Sequence, residues 1–342
     1  MRIPKFLEEG GCLGFVAPSF GCNIEPYKSA FGGALKKWKE MGFTVDLGPN
    51  CYEGSGIGIS NTPEKCGEEI NTYFEEGKAD VLISCGGGEL MCEILDYVDF
   101  EKLAKEPPKW YMGYSDNTNL TFLLATLCDT ASVYGPCAAA FGMELWHSSL
   151  TDTMELLMGR RREVRGYDLW EKESLKDEEH PFVPYHVTEK RVIRAFPDKE
   201  HHFEGRLLGG CLDCLHNLVG TRYDKVAEFN RRYGHEGIIW YLEACDFNVM
   251  GIRRALWNLE HAGWFDCAAG FLIGRPLCFG EEFLGLDQYQ AVLGVLEKHH
   301  VPVIMDLDIG HLPPMMPIVN GAYAVVEQKG NDICIAFDYD LL

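Results

Sequence analysis

The chain has 342 residues, 46% of them hydrophobic, and a formal net charge of −21. That charge sets it against nucleic acid and anionic membrane surfaces, which would be repelled over much of its surface. No apolar run reaches the ~20 residues of a membrane span, and the opening MRIPKFLEEGG is too acidic and too poor in apolar residues for a signal peptide, so a cytoplasmic protein is expected. The 14 cysteines sit mostly in apolar contexts and read as buried thiols.

In chain order, Cys12–Pro18 is a first strand, ending in Pro18-Ser19. Tyr27–Met41 is a helix with Ala30, Phe31, Ala34, Leu35 and Trp38 at helical spacing, stopped by Gly42. Thr44–Leu47 is a second strand. Asn61-Thr62-Pro63-Glu64 opens a helix running through Ile70, Tyr73 and Phe74. Ala79–Cys85 is a continuous apolar strand followed by Gly86-Gly87-Gly88, and Leu90–Leu95 begins another helix. Trp110–Met112 ends a strand, Gly113 permits a tight turn, and Asn119–Cys128 is an apolar helical run. Ser132–Tyr134 is a short strand and Met154–Met158 a short helix. Alternating strands and helices of these lengths predict a parallel sheet with helices on both faces, its ligands at the C-terminal strand ends.

From Gly159 to about Glu204 the chain is charged and broken by prolines. This change sets the expected division: residues 1–165 an α/β domain, 166–204 a linker or insert, 205–342 a C-terminal domain. The second half begins with Leu207–Val219. Gly237–Glu243, Ala269–Ile273 and Val301–Asp306 read as strands, Val249–Ala262 and Leu286–His299 as helices. Ala322–Glu327 and Ile333–Phe337 alternate like closing antiparallel strands.

Ser115 lies between a strand end and a helix start, in KWYMGYSDNTNLT. Backbone N–H groups and the positive end of a helix dipole gather there, which suits a nucleophile and the oxyanion it generates. The stretch lacks G-x-S-x-G, and taken alone its residues favour a plain helix cap. A nucleophilic serine also needs a base and a group to orient it. Glu243 ends a strand and His311 stands in the loop GHLPPMMP; each has an ordinary alternative, a helix-end charge and a surface histidine. Gly87 and Gly88 are either a tight turn or a source of oxyanion donors. Cys211-Leu212-Asp213-Cys214 with His216 nearby has C-x-x-C spacing but no partner cluster, so two core thiols on a helix are expected and no metal.

Read together, these stretches resemble the serine-type LD-carboxypeptidase family, which includes the microcin-C immunity peptidases. The resemblance runs through GFVAPS at Gly14–Ser19, SCGGGEL at Ser84–Leu90, GYSD at Gly113–Asp116, and GRLLGGCLDCLHNLVGT at Gly205–Thr221. It continues in LEACDFNVMGIRRALWNL at Leu242–Leu259, IGRP at Ile273–Pro276 and DIGH at Asp308–His311. Cys85 stands where the family often has arginine, and Cys211 where asparagine is common. The resemblance implies a flavodoxin- or Rossmann-like N-terminal parallel sheet with helices on both faces, and a smaller C-terminal mixed domain rich in β-structure. The active site would lie between them, and the protein would be a homodimer. It implies Ser115 as nucleophile, His311 as base and Glu243 as orienting acid. The N–H groups of Asp116 and of Gly87 or Gly88 would hold the oxyanion, with no cofactor.

The expected substrate is a muropeptide that loses a terminal D-amino acid. A peptide-nucleotide of the kind the immunity peptidases cleave is the alternative, since Trp170 or Phe182 in the insert could cover a ring. Two outsiders are a non-catalytic small-molecule binding protein of periplasmic-binding type and an amidotransferase-like enzyme using Cys85.

Overall fold

A computed structural model describes residues 1–75 and 77–339. The chain forms two units, Met1–Arg162 with Glu173–His186, and Glu163–Lys172 with Val187–Leu342.

In the first unit the elements alternate: β1 (Cys12–Val16), α1 (Tyr27–Glu40), β2 (Thr44–Leu47), α2 (Pro63–Glu75), β3 (Val81–Ser84), α3 (Phe100–Leu103), β4 (Trp110–Gly113), α4 (Thr118–Thr126), β5 (Ser132–Tyr134) and α5 (Ser148–Leu157). The strands pair in parallel in the order β2-β1-β3-β4-β5. This is the flavodoxin-type order, with its switch point between β1 and β3. Neighbouring side chains on a strand face opposite ways. Phe15 accordingly packs on Phe31 and Trp38 of α1. Val16 joins Ile70 and Tyr73 of α2 and Leu120 and Leu124 of α4 on the other face. Helices therefore cover both faces, and β3 can be apolar and buried throughout.

The second unit contains β6 (Glu163–Arg165), β7 (Leu169–Trp170), β8 (Glu189–Lys190), β9 (Arg194–Phe196), β10 (His201–Cys211), α6 (Leu212–Leu218) and α7 (Val226–Tyr233). Then follow β11 (Ile238–Glu243), α8 (Val249–His261), β12 (Ala268–Gly274), α9 (Gln288–Leu296), β13 (Val303–Leu307), β14 (Ile318–Asn320), β15 (Tyr323–Lys329) and β16 (Asp332–Asp338). Its main sheet has the order β6-β16-β15-β10-β11-β12-β13-β9. Strands β10 to β13 are parallel, and antiparallel strands flank them. Glu243 and Gly274 thus end adjacent parallel strands, and Asp308 follows the end of the next.

Several elements differ from the sequence reading. The charged stretch 159–204 is not plain linker: it carries β6 to β9 and the start of β10. Residues 173–186 belong to the first unit and 187–204 to the second. Met91–Tyr97 winds as a 3-10 helix, and the N–H of Met91 is already committed to Asp116. The helix expected from Leu286 starts at Gln288, because Asp287 forms a capping box with Gln290. Cys211 ends β10 instead of sharing a helix with Cys214; both thiols are buried.

Candidate active site

In the first unit, Ser115 opens a 3-10 turn, Ser115–Asn117, between β4 and α4. Its φ is +61°, in the left-handed region that a non-glycine residue enters at a cost. A helix-capping serine has no need of that conformation, since caps use extended backbone; Asn117, not Ser115, stands at the start of α4. The Ser115 N–H donates to the Tyr134 hydroxyl at 3.2 Å.

The glycine turn after β3 approaches this serine closely. A Cβ on Gly87 would stand 3.2 Å from Ser115 Cβ and 3.3 Å from its Oγ. Asn117 Nδ2 donates to the Gly86 carbonyl at 2.8 Å, and the Phe20 N–H donates to the Gly87 carbonyl at 2.7 Å. Asp116 is buried, and burial pushes its carboxyl up to about 6, against the pull of its bonds from Ser19 and Met91.

Cys85, the rival nucleophile, is fully buried. Burial, then the neighbouring Cys22 and Cys51, raise its thiol well above the usual range. A reactive thiol needs the opposite shift.

In the second unit, Glu243 is buried at the end of β11 and His311 follows β13. His311 Nδ1 lies 2.9 Å from Glu243 Oε2. Burial by itself would lower the ring's pKa. The Glu243 charge, with hydrogen bonds to Cys245 and Glu243, outweighs burial and holds it well above the ordinary histidine value.

Two glycines let the His311 loop come down on the carboxylate. A Cβ on Gly310, where φ is +103°, would stand 2.6 Å from Glu243 Oε2. A Cβ on Gly274 would collide with the Ile309 carbonyl. The loop is also anchored from beneath. Buried Arg275 pairs with Asp308 and donates to the Asp306 carbonyl at 2.8 Å. Asp308 accepts the Tyr167 N–H at 2.7 Å, and the Arg275 guanidinium lies 4.8 Å from the centre of the Trp170 ring.

These anchors were not singled out in the sequence, although an arginine and an aspartate after adjacent strand ends, in IGRP and DIGH, were visible. Asp213 was read only as the spacer of a C-x-x-C. Its carboxylate accepts the N–H groups of Cys245, Asp246 and Phe247 at 3.0, 2.9 and 3.1 Å, fixing the chain just after Glu243. Beside Arg275 lies a pocket of about 240 Å³, lined by Trp170, Arg194, Tyr289 and Asp306 among others. Among the described residues, no group of three or more His, Cys, Asp or Glu is placed to hold a metal ion.

Residues 13–135 match the LD-carboxypeptidase N-terminal domain, and residues 204–326 match the LD-carboxypeptidase C-terminal domain. The chain belongs to the LD-carboxypeptidase family. As a member it is a hydrolase, a carboxypeptidase of the serine type. Over 344 residues the chain is 24% identical to a Vibrio cholerae protein named as an inferred carboxypeptidase, covering 96% of this chain and 95% of that one. It is 22% identical over 342 residues to the Escherichia coli microcin C7 self-immunity protein, covering 97% and 95%. A solved structure of microcin C7 self-immunity protein in complex with aspartyl sulfamoyl adenosine superposes with a TM-score of 0.82 at 20% identity, covering 99% of each chain. The expected fold class, a parallel N-terminal sheet with helices on both faces and a β-rich C-terminal domain, is borne out. Among the described residues, no helix is long and apolar enough to cross a membrane.

Proposed function

We propose that this member of the family hydrolyses the amide bond to a terminal D-amino acid in muropeptides, using Ser115, His311 and Glu243. The observation that carries the reading is the hydrogen bond between buried Glu243 and His311. A carboxylate on Nδ1 orients the ring, leaves Nε2 as the basic nitrogen and stabilises the imidazolium once it forms. The left-handed Ser115 supports the nucleophile role, since backbone strain of this kind gathers at functional sites.

In this reading Ser115 Oγ attacks the scissile carbonyl carbon while His311 takes its proton. The N–H groups of Asp116 and of Gly87 or Gly88 hold the oxyanion. Collapse breaks the C–N bond, and His311 returns the proton to the leaving amine. Water, deprotonated by the same histidine, then releases the acyl group from Ser115. No metal or cofactor takes part. The protein would act in the cytoplasm as a homodimer, which light scattering on the purified protein tests.

A second reading has one observation in its favour. The microcin C7 self-immunity protein, similar over nearly its whole length, is solved with an aminoacyl sulfamoyl nucleoside. The substrate here would then be an aminoacyl-nucleotide amide. Mass spectrometry of parallel reactions, one with an L,D-linked muropeptide tetrapeptide and one with an aminoacyl sulfamoyl adenylate, separates the two. Release of the terminal D-amino acid is expected; cleavage of the adenylate alone would favour the second reading.

A further inference from the structure

The reaction requires the glycine turn after β3 to stay in register with Ser115, and glycines do not hold a position by themselves. We propose that Ser19 and Asp116 are positioning residues, a side-chain clamp that fixes the Gly86–Gly88 turn against Ser115. The proposal rests on Ser115 being the nucleophile.

The Asp116 carboxylate joins three segments. Its Oδ2 accepts the Ser19 hydroxyl at 2.5 Å, from the loop after β1, and the Met91 N–H at 2.9 Å, from just beyond the glycine turn. Its Oδ1 accepts Asn119 Nδ2 at 3.1 Å, within the nucleophile's own turn and helix. Ser19 is fully buried and its backbone is fixed in turn, its carbonyl accepting the Ser60 N–H at 2.6 Å.

From that position the Ser19-Phe20 loop bears on every glycine of the turn. A Cβ on Gly88 would collide with Ser19 Oγ, and one on Gly86 would stand 2.9 Å from the Phe20 ring. The Gly87 carbonyl accepts the Phe20 N–H. Gly87 thereby sits where an added Cβ would stand 3.2 Å from Ser115 Cβ, so the turn has room for glycine beside the serine. In the proposed mechanism Asp116 then has two separate tasks: its N–H would serve the oxyanion, while its buried side chain holds the loop and the glycine turn. Sequence adjacency to Ser115 keeps the coupling short, because the bonds that hold the Asp116 side chain also hold the Asp116 Cα that follows the serine.

The Ser19 hydroxyl offers the cleaner test, since its removal leaves Asp116 two other donors. A displaced oxyanion wall lowers turnover by about 10–100-fold without weakening ground-state binding. Ser19→Ala should therefore lower kcat and leave KM within about twofold.

The deciding experiment uses a fluorophosphonate probe, with the modified peptide identified by mass spectrometry. Ser115 Oγ forms a bond to phosphorus, the P–F bond breaks, fluoride leaves and the serine proton passes to His311. Wild-type protein should label at Ser115, and Ser19→Ala should label there about 10–100-fold more slowly while still folded, its melting temperature lowered by only a few degrees for the lost hydrogen bond. Ser19→Cys, which fills the site with a slightly larger atom and keeps a weaker donor, should fall between them and serves if the alanine variant does not fold. Equal labelling rates in wild type and both variants would overturn the clamp while leaving Ser115 as nucleophile. Wild-type labelling elsewhere, or none, would overturn the nucleophile reading and the clamp with it.

Discussion

Glu243 Oε2 and His311 Nδ1 lie 2.9 Å apart across 68 residues of sequence, joined where β11 ends and the loop after β13 descends. Gly310 and Gly274 admit the loop backbone, and the Arg275–Asp308 pair ties it down. Each residue has an ordinary role alone; the pair has a specific one.

Only neutral imidazole can accept the serine proton, and the Glu243 charge holds the His311 pKa well above 6.5. The acid limb of kcat/KM should therefore lie above pH 6.5 and rise with pH. Glu243→Gln removes the charge that raises the ring, so it should move that limb to lower pH and reduce the rate by about 10³–10⁴-fold. With His311→Ala the losses should not add, because triad members act as a unit. A double-mutant cycle on kcat/KM checks this. Additive losses, with no movement of the limb, would return Glu243 to a structural charge.

Gly310→Ala should separate space from chemistry. The new methyl meets Glu243 Oε2 at a backbone angle that disfavours alanine. We expect a loss of about 1–3 kcal/mol in urea denaturation. A fall in kcat of about 100-fold should accompany it as the His311 loop lifts. Wild-type kcat in this variant would show that the loop's approach is not needed.

Arg275 and Asp308 are each 1% exposed and paired. Breaking a buried pair strands the remaining charge, so Arg275→Met should cost about 3–5 kcal/mol. Adding Asp308→Leu should recover part of that loss. The recovery would be incomplete, because the Tyr167 N–H then loses its acceptor. Equilibrium denaturation of both variants is the measurement. No recovery in the double variant would mean that the two charges are not coupled.

Glu69 gives a prediction about stability alone. Buried on α2, it accepts the N–H groups of Ala17 and Asn50 at 2.8 and 3.0 Å, and burial raises its carboxyl to about 7. An acid raised in the folded state contributes stability that is present below its unfolded pKa and lost as pH rises through its folded one. Wild-type stability should carry this decline between about pH 4.5 and 7, and Glu69→Gln should lack it. Relative to wild type, the variant should gain as pH rises across that window. Parallel melting curves in the two proteins would refute the shift.

Much of the first unit was legible because its signals are local. The buried face of α1 is the set Ala30, Phe31, Ala34, Leu35 and Trp38 that the spacing marked. The runs at β1, β3 and β4 are apolar because helices cover both sides. The second unit hid more. The N-terminal part of β10, His201–Glu204, pairs with β15 more than a hundred residues later, and its alternating exposure gave no apolar run. Strands β7 and β8 have two residues each, too few to show a period. At the site, the place of Ser115 between strand and helix could be read, but not its backbone angle. Arg275, Asp308 and Asp213 escaped notice because their importance lies in what they hold, and that depends on contacts between distant strand ends.

The most direct measurement is turnover of an L,D-linked muropeptide tetrapeptide by Ser115→Ala beside wild type, with melting curves confirming that both are folded. Loss of the nucleophile should reduce turnover by roughly 10⁴–10⁶-fold while the melting temperature stays near that of wild type. A folded Ser115→Ala protein that still releases the terminal D-amino acid at near wild-type rate would contradict the serine mechanism.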